Sequence, residues 1–268
     1  MKNDKNIAVI IPTYKPQEYL KKCLTSIDAQ TLSKNKFCVY IALNGDRCPY
    51  ENEILSLLKL YSFNSKYIYI KGLGVSNARN KLINYSKEEF IAFIDDDDLI
   101  SPNYLSNLLE VSTQEYVGIA KVYNFKKSIN VVTSHSIGRL YEKLSPLETP
   151  KFKTRKYYSP IWAKLIHRNI IGNTQFDTNL KNGEDSLFMA TISKNIKKLC
   201  KPCNEVCYYI YERPNSASRR KTLFKYKLKN SAYVTREYFK LLMSPDHNKL
   251  FILSRILATL KKLIMGLN

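Results

Sequence analysis

Short β-branched runs alternate with helix-spaced segments through the first hundred residues, and this alternation restricts the fold more than any other feature. Ile7 to Ile11 is a strand-like run, after which Leu20, Cys23, Leu24 and Ile27 follow helical spacing up to the polar Gln30 and Thr31. Phe37 to Leu43 predicts a second strand, stopped by the turn dipeptide Asn44-Gly45. A helix over Glu53 to Leu60, a strand over Tyr67 to Ile70, a helix over Asn77 to Ile83 and a strand running into Asp95 continue the series. Four strands joined by helices imply a mainly parallel α/β sheet with right-handed crossovers, whose ligands bind at the carboxyl edge. Pro12-Thr13-Tyr14, Asn44-Gly45-Asp46 and an aspartate run all fall at strand ends, so they are expected to converge in one crevice.

The aspartate run is Asp95-Asp96-Asp97-Asp98, directly after the apolar Phe90 to Ile94. Adjacent like charges in a partly desolvated site raise one another's pKa unless a cation neutralises them. Hard oxygen ligands at a strand end suit Mg2+ or Mn2+, held by one or two carboxylates together with a substrate's phosphates. Strand alternation would put Asp95 and Asp97 on one side, which makes them the candidate metal ligands. A plainer reading gives Asp98 and Ser101 the job of capping a helix that begins near Pro102. An EF-hand loop counted from Asp95 does not fit, because position six is Ile100 rather than Gly and position twelve is Ser106 rather than Glu.

With 268 residues and 44% hydrophobic content the chain fills a sizeable core as one large domain or two small ones. The polar start and Pro12 leave no legible secretory signal, and no run of eighteen uncharged apolar residues is present. Six cysteines in this setting point to reduced thiols and a cytoplasmic location.

These segments resemble a family. Val9 to Tyr14, Leu24 through Gln30-Thr31, Gly74-Val75-Ser76-Asn77-Ala78-Arg79-Asn80 and Phe93 to Asp98 look like successive motifs of the family 2 glycosyltransferases with the GT-A fold. Lys164 to Arg168, Phe176 and Gly183-Glu184-Asp185 are similar to the family's acceptor-side segment, and Tyr211-Glu212-Arg213 with Ser216 and Ser218 to its closing loop. The order and spacing carry the likeness over about residues 7 to 220.

The resemblance implies a GT-A catalytic domain over 1–220, with a nucleotide-sugar half at 1–113 and an acceptor half at 114–220. It implies an inverting glycosyltransferase that uses a nucleotide-diphosphate sugar, a glycan or lipid-linked acceptor, and Mn2+ or Mg2+. Pro12, Thr13, Tyr14, Asn44, Arg79, Asp95, Asp96 and Arg213 fall on donor-binding positions, and Asp97 with Asp95 on the metal. Asp185 matches the general base and Glu184 its partner, although acids at a helix start are ordinary on their own. Arg79, read by itself, is a helix-surface arginine. Where the family commonly carries two acids before Gly and Ser, this chain has Leu43-Asn44-Gly45-Asp46. Asn44 both donates and accepts, which keeps a UDP-sugar in view.

Cys200 and Cys203 have C-x2-C spacing, but with Cys207 they sit before and within a strand-like run and are better read as packed thiols than as a zinc site. His135, His167 and His247 are scattered and fit structural roles. The segment 134–162 looks irregular, with Pro146, Pro150 and Pro160.

Charge is concentrated at the end of the chain. Residues 213 to 268 carry thirteen Lys or Arg against Glu237 and Asp246, supplying +11 of the net +20. Leu253, Ile256, Leu257, Leu260, Leu263 and Ile264 follow helical spacing with Arg255 and Lys262 on the far side. A helical basic extension over 221–268 is expected, either docked on the core or lying on an anionic membrane surface. A nucleic-acid binder is the alternative from +20 and twenty tyrosines, but the acid run would repel a polynucleotide at the ligand edge. A nucleotidyltransferase shares the metal-nucleotide chemistry and differs by product.

Overall fold

The computed structural model describes residues 6–148, 151–213 and 223–265, so Pro150, Ser216 and Ser218 lie outside the described residues. Strands β1 (Ile7–Thr13), β2 (Phe37–Asn44), β3 (Asn64–Ile70) and β4 (Phe90–Phe93) pair in parallel in the order β3-β2-β1-β4. Every residue of β1 is buried, as expected of a central strand covered on both faces. The helices between them are α1 (Glu18–Asp28), α2 (Tyr50–Leu58) and α3 (Val75–Tyr85). α1 buries Leu20, Cys23, Leu24 and Ile27, the residues whose spacing predicted it. α2 and α3 start two to three residues earlier than periodicity suggests; Gly74, at φ 131°, is the N-cap that lets α3 begin at Val75.

After β4 the parallel scheme ends. Next come β5 (Leu99–Ile100), α4 (Tyr104–Val111), β6 (Tyr116–Ile119), β7 (Lys121–Phe125), β8 (Val132–Ser134), α5 (Ser136–Glu142) and β9 (Leu147–Glu148). β10 (Lys164–His167), α6 (Arg168–Ile171), α7 (Glu184–Ile192), β11 (Lys198–Cys200) and β12 (Cys207–Tyr211) follow. β10 enters antiparallel between β4 and β6, making an eight-stranded mixed sheet ordered β3-β2-β1-β4-β10-β6-β11-β9. A smaller sheet, β5-β12-β7-β8, stands beside it. The segment expected to be irregular holds α5, β9 and a 3-10 turn at Arg155–Tyr158.

The C-terminal region is helical: α8 (Phe224–Met243) and α9 (Lys249–Ile264) pack on each other, and α8 packs on α7. Its inward face corrects the periodicity reading. α9 buries Phe251, Ile252, Ser254, Arg255 and Ile256, with the Phe251 ring 5.0 Å from Tyr158. Leu253, Leu257, Leu260 and Ile264 instead face outward, Leu257 at 65% exposure. The helix has two apolar stripes, so spacing alone cannot say which one the core takes. Among the described residues no helix is long and apolar enough to cross a membrane.

Candidate active site at the carboxyl edge of the sheet

The aspartates lie on a turn rather than on an extended strand. Pairing continues one step beyond β4, where the Ile94 N–H donates to Ile10 O, and then the Asp98 N–H donates back to Asp95 O at 3.1 Å. Alternation therefore fails here, and the four acids meet four different partners. Asp95 pairs with Arg79 at 2.9 Å, and its backbone N–H donates to the Tyr208 hydroxyl at 3.1 Å. Asp96 accepts a short hydrogen bond from the Thr13 hydroxyl at the end of β1. Asp97 pairs with Arg213 at 3.1 Å. Asp98 is buried and accepts the Tyr211 N–H at 2.9 Å, anchoring β12.

Asp98 is thus no helix cap. Asn103 precedes α4 without a side-chain cap bond, and the Ser101 hydroxyl accepts the Cys207 N–H at 3.0 Å. The turn is electrostatically loaded. Burial, then Asp97, pushes Asp96 up to about 7; burial, then Asp95, pushes Asp97 up to about 6 against the pull of Arg213. Burial also holds Asp98 well above the usual carboxylate range.

Among the described residues no group of three or more His, Cys, Asp and Glu side chains is arranged to hold an ion. The turn still suits a hard divalent cation that takes part of its shell from phosphates. Asp95 and Asp97 are oxygen donors with side chains 35% and 15% exposed, and the raised Asp97 marks negative charge that a cation would relieve.

Arg79 is the hub. It is 3% exposed, which corrects the helix-surface reading, because α3 turns Ala78, Arg79, Leu82 and Ile83 towards the sheet. Its guanidinium lies 2.9 Å from Asp95, 2.6 Å from Asp185 and 3.9 Å from Glu184, over the Phe176 ring at 5.4 Å. Burial alone would lower its pKa, but Asp185, Asp95 and Glu184 raise it instead.

Glu184 and Asp185 open α7 after Gly183, a left-handed position at φ 87°. The second Asp185 oxygen accepts the Ile161 N–H at 3.3 Å. Burial, then Asp185, pushes Glu184 up to about 7 against Arg79. Asp185 is raised by burial, with Arg79 opposing.

Tyr14, 45% exposed, lies with its ring against Gly45, where an added Cβ would approach it to 2.8 Å and Leu73 to 2.6 Å. Pro12 is buried within β1. The Asn44 amide donates to Thr13 O at 2.7 Å and accepts the Gly74 N–H at 3.3 Å, closing the crevice floor between β1, β2 and the loop before α3. All of the expected residues therefore gather along one edge, in two groups: Tyr14 and Asn44 at the ends of β1 and β2, and the acids with Arg79 and Arg213 beyond the end of β4.

Sequence reasoning missed several groups at this edge. Tyr208 supports the Asp95 backbone and stacks on Trp162, with centroids 5.2 Å apart. Lys164 is fully buried; its ammonium donates to Pro160 O and Trp162 O at 2.9 and 3.0 Å, and burial pushes it down to about 7 although Asp185 opposes. Lys164 opens the segment similar to the family's acceptor-side motif, but no role of its own is legible from its sequence context. His135 and His167 each accept a backbone N–H at a helix start, and His247 reaches Thr191 O, all structural roles. Cys200 and Cys207 are buried free thiols, and Cys203 is exposed.

A Rossmann-like half-sheet carrying an acidic turn at its carboxyl edge, continued by a mixed half-sheet, defines the GT-A class of fold. The chain belongs to glycosyl transferase family 2, whose description it matches over residues 8–175. It is 29% identical over 193 residues to the glycosyltransferase GlyA of Streptococcus pneumoniae, an alignment covering 68% of this chain and 27% of GlyA. It is 25% identical over 206 residues to the minor teichoic acid biosynthesis protein GgaB of Bacillus subtilis, covering 72% of this chain and 21% of GgaB. The chain thus spans about a quarter of the length of these relatives. Solved structures of Staphylococcus aureus TarS with UDP-GlcNAc (TM-score 0.75, 19% identity, 95% of this chain and 72% of that one) and of the Pyrobaculum calidifontis mannosyltransferase PcManGT with GDP-Man and Mn2+ (TM-score 0.61, 11% identity, 96% and 69%) share the fold.

Proposed function

We propose that this chain is an inverting glycosyltransferase that moves a sugar from a UDP-sugar to a hydroxyl of a glycan or lipid-linked surface polymer. The observation that carries the reading is Arg79, whose single buried guanidinium ties Asp95 on the donor side to Asp185 and Glu184 on the acceptor side. Thr13, Tyr14 and Asn44, shaped by Pro12, receive the nucleoside; Asp95 and Asp96 face ribose and sugar, and Arg213 faces the diphosphate. Mn2+ or Mg2+, held by Asp97 with Asp95, would supply Lewis-acid neutralisation of the leaving diphosphate. Asp185 takes the proton of the acceptor hydroxyl as that oxygen attacks the anomeric carbon, the bond to the diphosphate breaks on the opposite face, and the nucleoside diphosphate leaves. Burial, with Asp95 adding to it against Arg79, keeps its pKa raised, which favours this role, while Arg79 and the Ile161 N–H orient it and Glu184 stands beside it as its partner.

TarS is named a poly(ribitol-phosphate) N-acetylglucosaminyltransferase, and GgaB a teichoic acid biosynthesis protein. These likenesses, with a net charge of +20, favour an anionic surface polymer as acceptor at the cytoplasmic face of the membrane. A screen of nucleotide-sugars with Mn2+, following nucleoside diphosphate release, tests class and donor together. Release of pyrophosphate instead would mark a nucleotidyltransferase. Asp97→Ala is expected to abolish the Mn2+-dependent part of UDP binding in calorimetry while the melting curve stays cooperative, since no core side chain is lost. Undiminished Mn2+-dependent affinity would remove Asp97 from the metal site.

The division into a catalytic unit at 1–220 and an extension at 221–268 belongs to this reading, as does membrane contact by the extension. The outward Leu253, Leu257, Leu260 and Ile264, flanked by Lys261, form the face that would enter an anionic interface. Each nearby basic residue contributes about 1 kcal/mol, screened by salt. The 268-residue chain is expected to sediment with anionic liposomes at low salt, and Leu257→Asp with Leu260→Asp to weaken the part that salt does not remove. Binding unchanged in that variant, or absent from the wild type, would leave the stripe without a membrane role. Ile256 is the wrong probe, because it is buried against the core.

A further inference from the structure

We infer that Arg255, on the C-terminal helix α9, is a positioning residue for Asp185, so that the helical extension sets the geometry of the catalytic step. The inference rests on the reading of Asp185 as general base. Arg255 is 9% exposed, and among the described residues none of its hydrogen-bond partners is a carboxylate. One arm of its guanidinium donates to Ser159 Oγ at 2.9 Å and to Arg155 O at 3.4 Å. The other arm donates a short hydrogen bond to Ser186 Oγ, and the same hydroxyl meets the Tyr238 hydroxyl of α8 at 2.6 Å.

These two anchoring points bracket the base. Ser186 is the residue after Asp185 in the first turn of α7, and Ser159 lies two residues before Ile161, whose N–H is held by the Asp185 carboxylate. Arg255 therefore fastens both backbone stretches that reach Asp185, from a helix about seventy residues further along the chain. The rigid fork of a guanidinium spans two acceptors at fixed separation, which an ammonium cannot reproduce. Its partners are neutral, so what it supplies is geometry: it closes segment 159–161 onto α7 and fixes the carboxylate against Arg79 on one side and the Ile161 N–H on the other. Misplacing a catalytic group by about 1 Å can cost on the order of 100-fold in rate.

Trp162, the only tryptophan in the chain, sits one residue beyond Ile161 and reports on this segment without any substrate. In Arg255→Met the Trp162 emission is expected to shift to longer wavelength, with iodide quenching increased, while UDP binding with Mn2+ and the far-ultraviolet circular dichroism stay as in the wild type. Turnover on the donor selected by the nucleotide-sugar screen is expected to fall at least about tenfold in kcat with the donor KM little changed, and Arg255→Lys to recover part of it. Ser186→Ala, which removes the bonds of that hydroxyl to Arg255 and Tyr238, and Tyr238→Phe, which removes only the second of them, give smaller shifts of the same kind and serve if Arg255→Met fails to fold. In an Asp185→Asn background, Arg255→Met is expected to cost nothing further, because the arginine acts through the base. Unchanged Trp162 emission in Arg255→Met overturns the inference whatever the donor is, as does shifted emission with full turnover, or an undiminished loss in the Asp185→Asn background. Near-normal turnover of Asp185→Asn alone would instead discard the base assignment, leaving the fluorescence result to stand on its own.

Discussion

Asp185→Asn is expected to reduce sugar transfer by about two to four orders of magnitude while leaving UDP binding in Mn2+ intact, the range that a positioned general base contributes. The amide keeps the shape of the carboxylate but cannot take a proton. The same carboxyl sets the pH dependence. Burial raises Asp185, so the working, ionised form is lost as pH falls through a range above the ordinary carboxylate values, and kcat should drop on that acid limb. Glu184 stands in the same first helical turn and is the next candidate base if the asparagine variant turns over normally.

Arg79→Met should have the largest effect on stability. It leaves Asp95, Glu184 and Asp185 around a buried point with no guanidinium, and removing one partner of a buried ionic group costs about 3–5 kcal/mol. The loss should depend on pH with a definite sign. Glu184 already sits at about 7, raised above its ordinary value, and removing the cation raises the folded-state values further. A carboxyl raised in the folded state binds protons more tightly there, so its stabilising protonation is complete below the ordinary value and is lost as pH rises through the folded one. Urea melts should therefore show a small deficit near pH 5 and a large one near pH 8. An equal deficit at both would mean that the three acids do not depend on Arg79 for neutralisation.

The sequence by itself determined the parallel half of the sheet, because buried strands and amphipathic helices announce themselves through periods of two and 3.6. α1 buries the four residues whose spacing predicted it, and β1, β2 and β4 lie where the apolar runs lie. The same patterns put the breaks at strand ends, which is why the sequence alone directs Thr13, Asn44 and the aspartate run to one edge. Beyond β4 local pattern lost its hold. β10 is a four-residue strand whose antiparallel insertion between β4 and β6 depends on long-range pairing. The aspartates kept no strand alternation, because a turn hydrogen bond from Asp98 to Asp95 O re-aims every side chain.

Tertiary structure alone decided the partners. Nothing local distinguishes Arg79 from a surface arginine, since its burial depends on acids 16 and 106 positions away. Arg255 is the same case at the other end of the chain: helical spacing put it on the far side from the apolar stripe, but α9 has two such stripes and the core took the one that includes it. Charge and spacing are properties of a segment, whereas burial of a charge is a property of what the rest of the chain brings to meet it. The residues that join the two halves of the site are those whose roles come from such meetings.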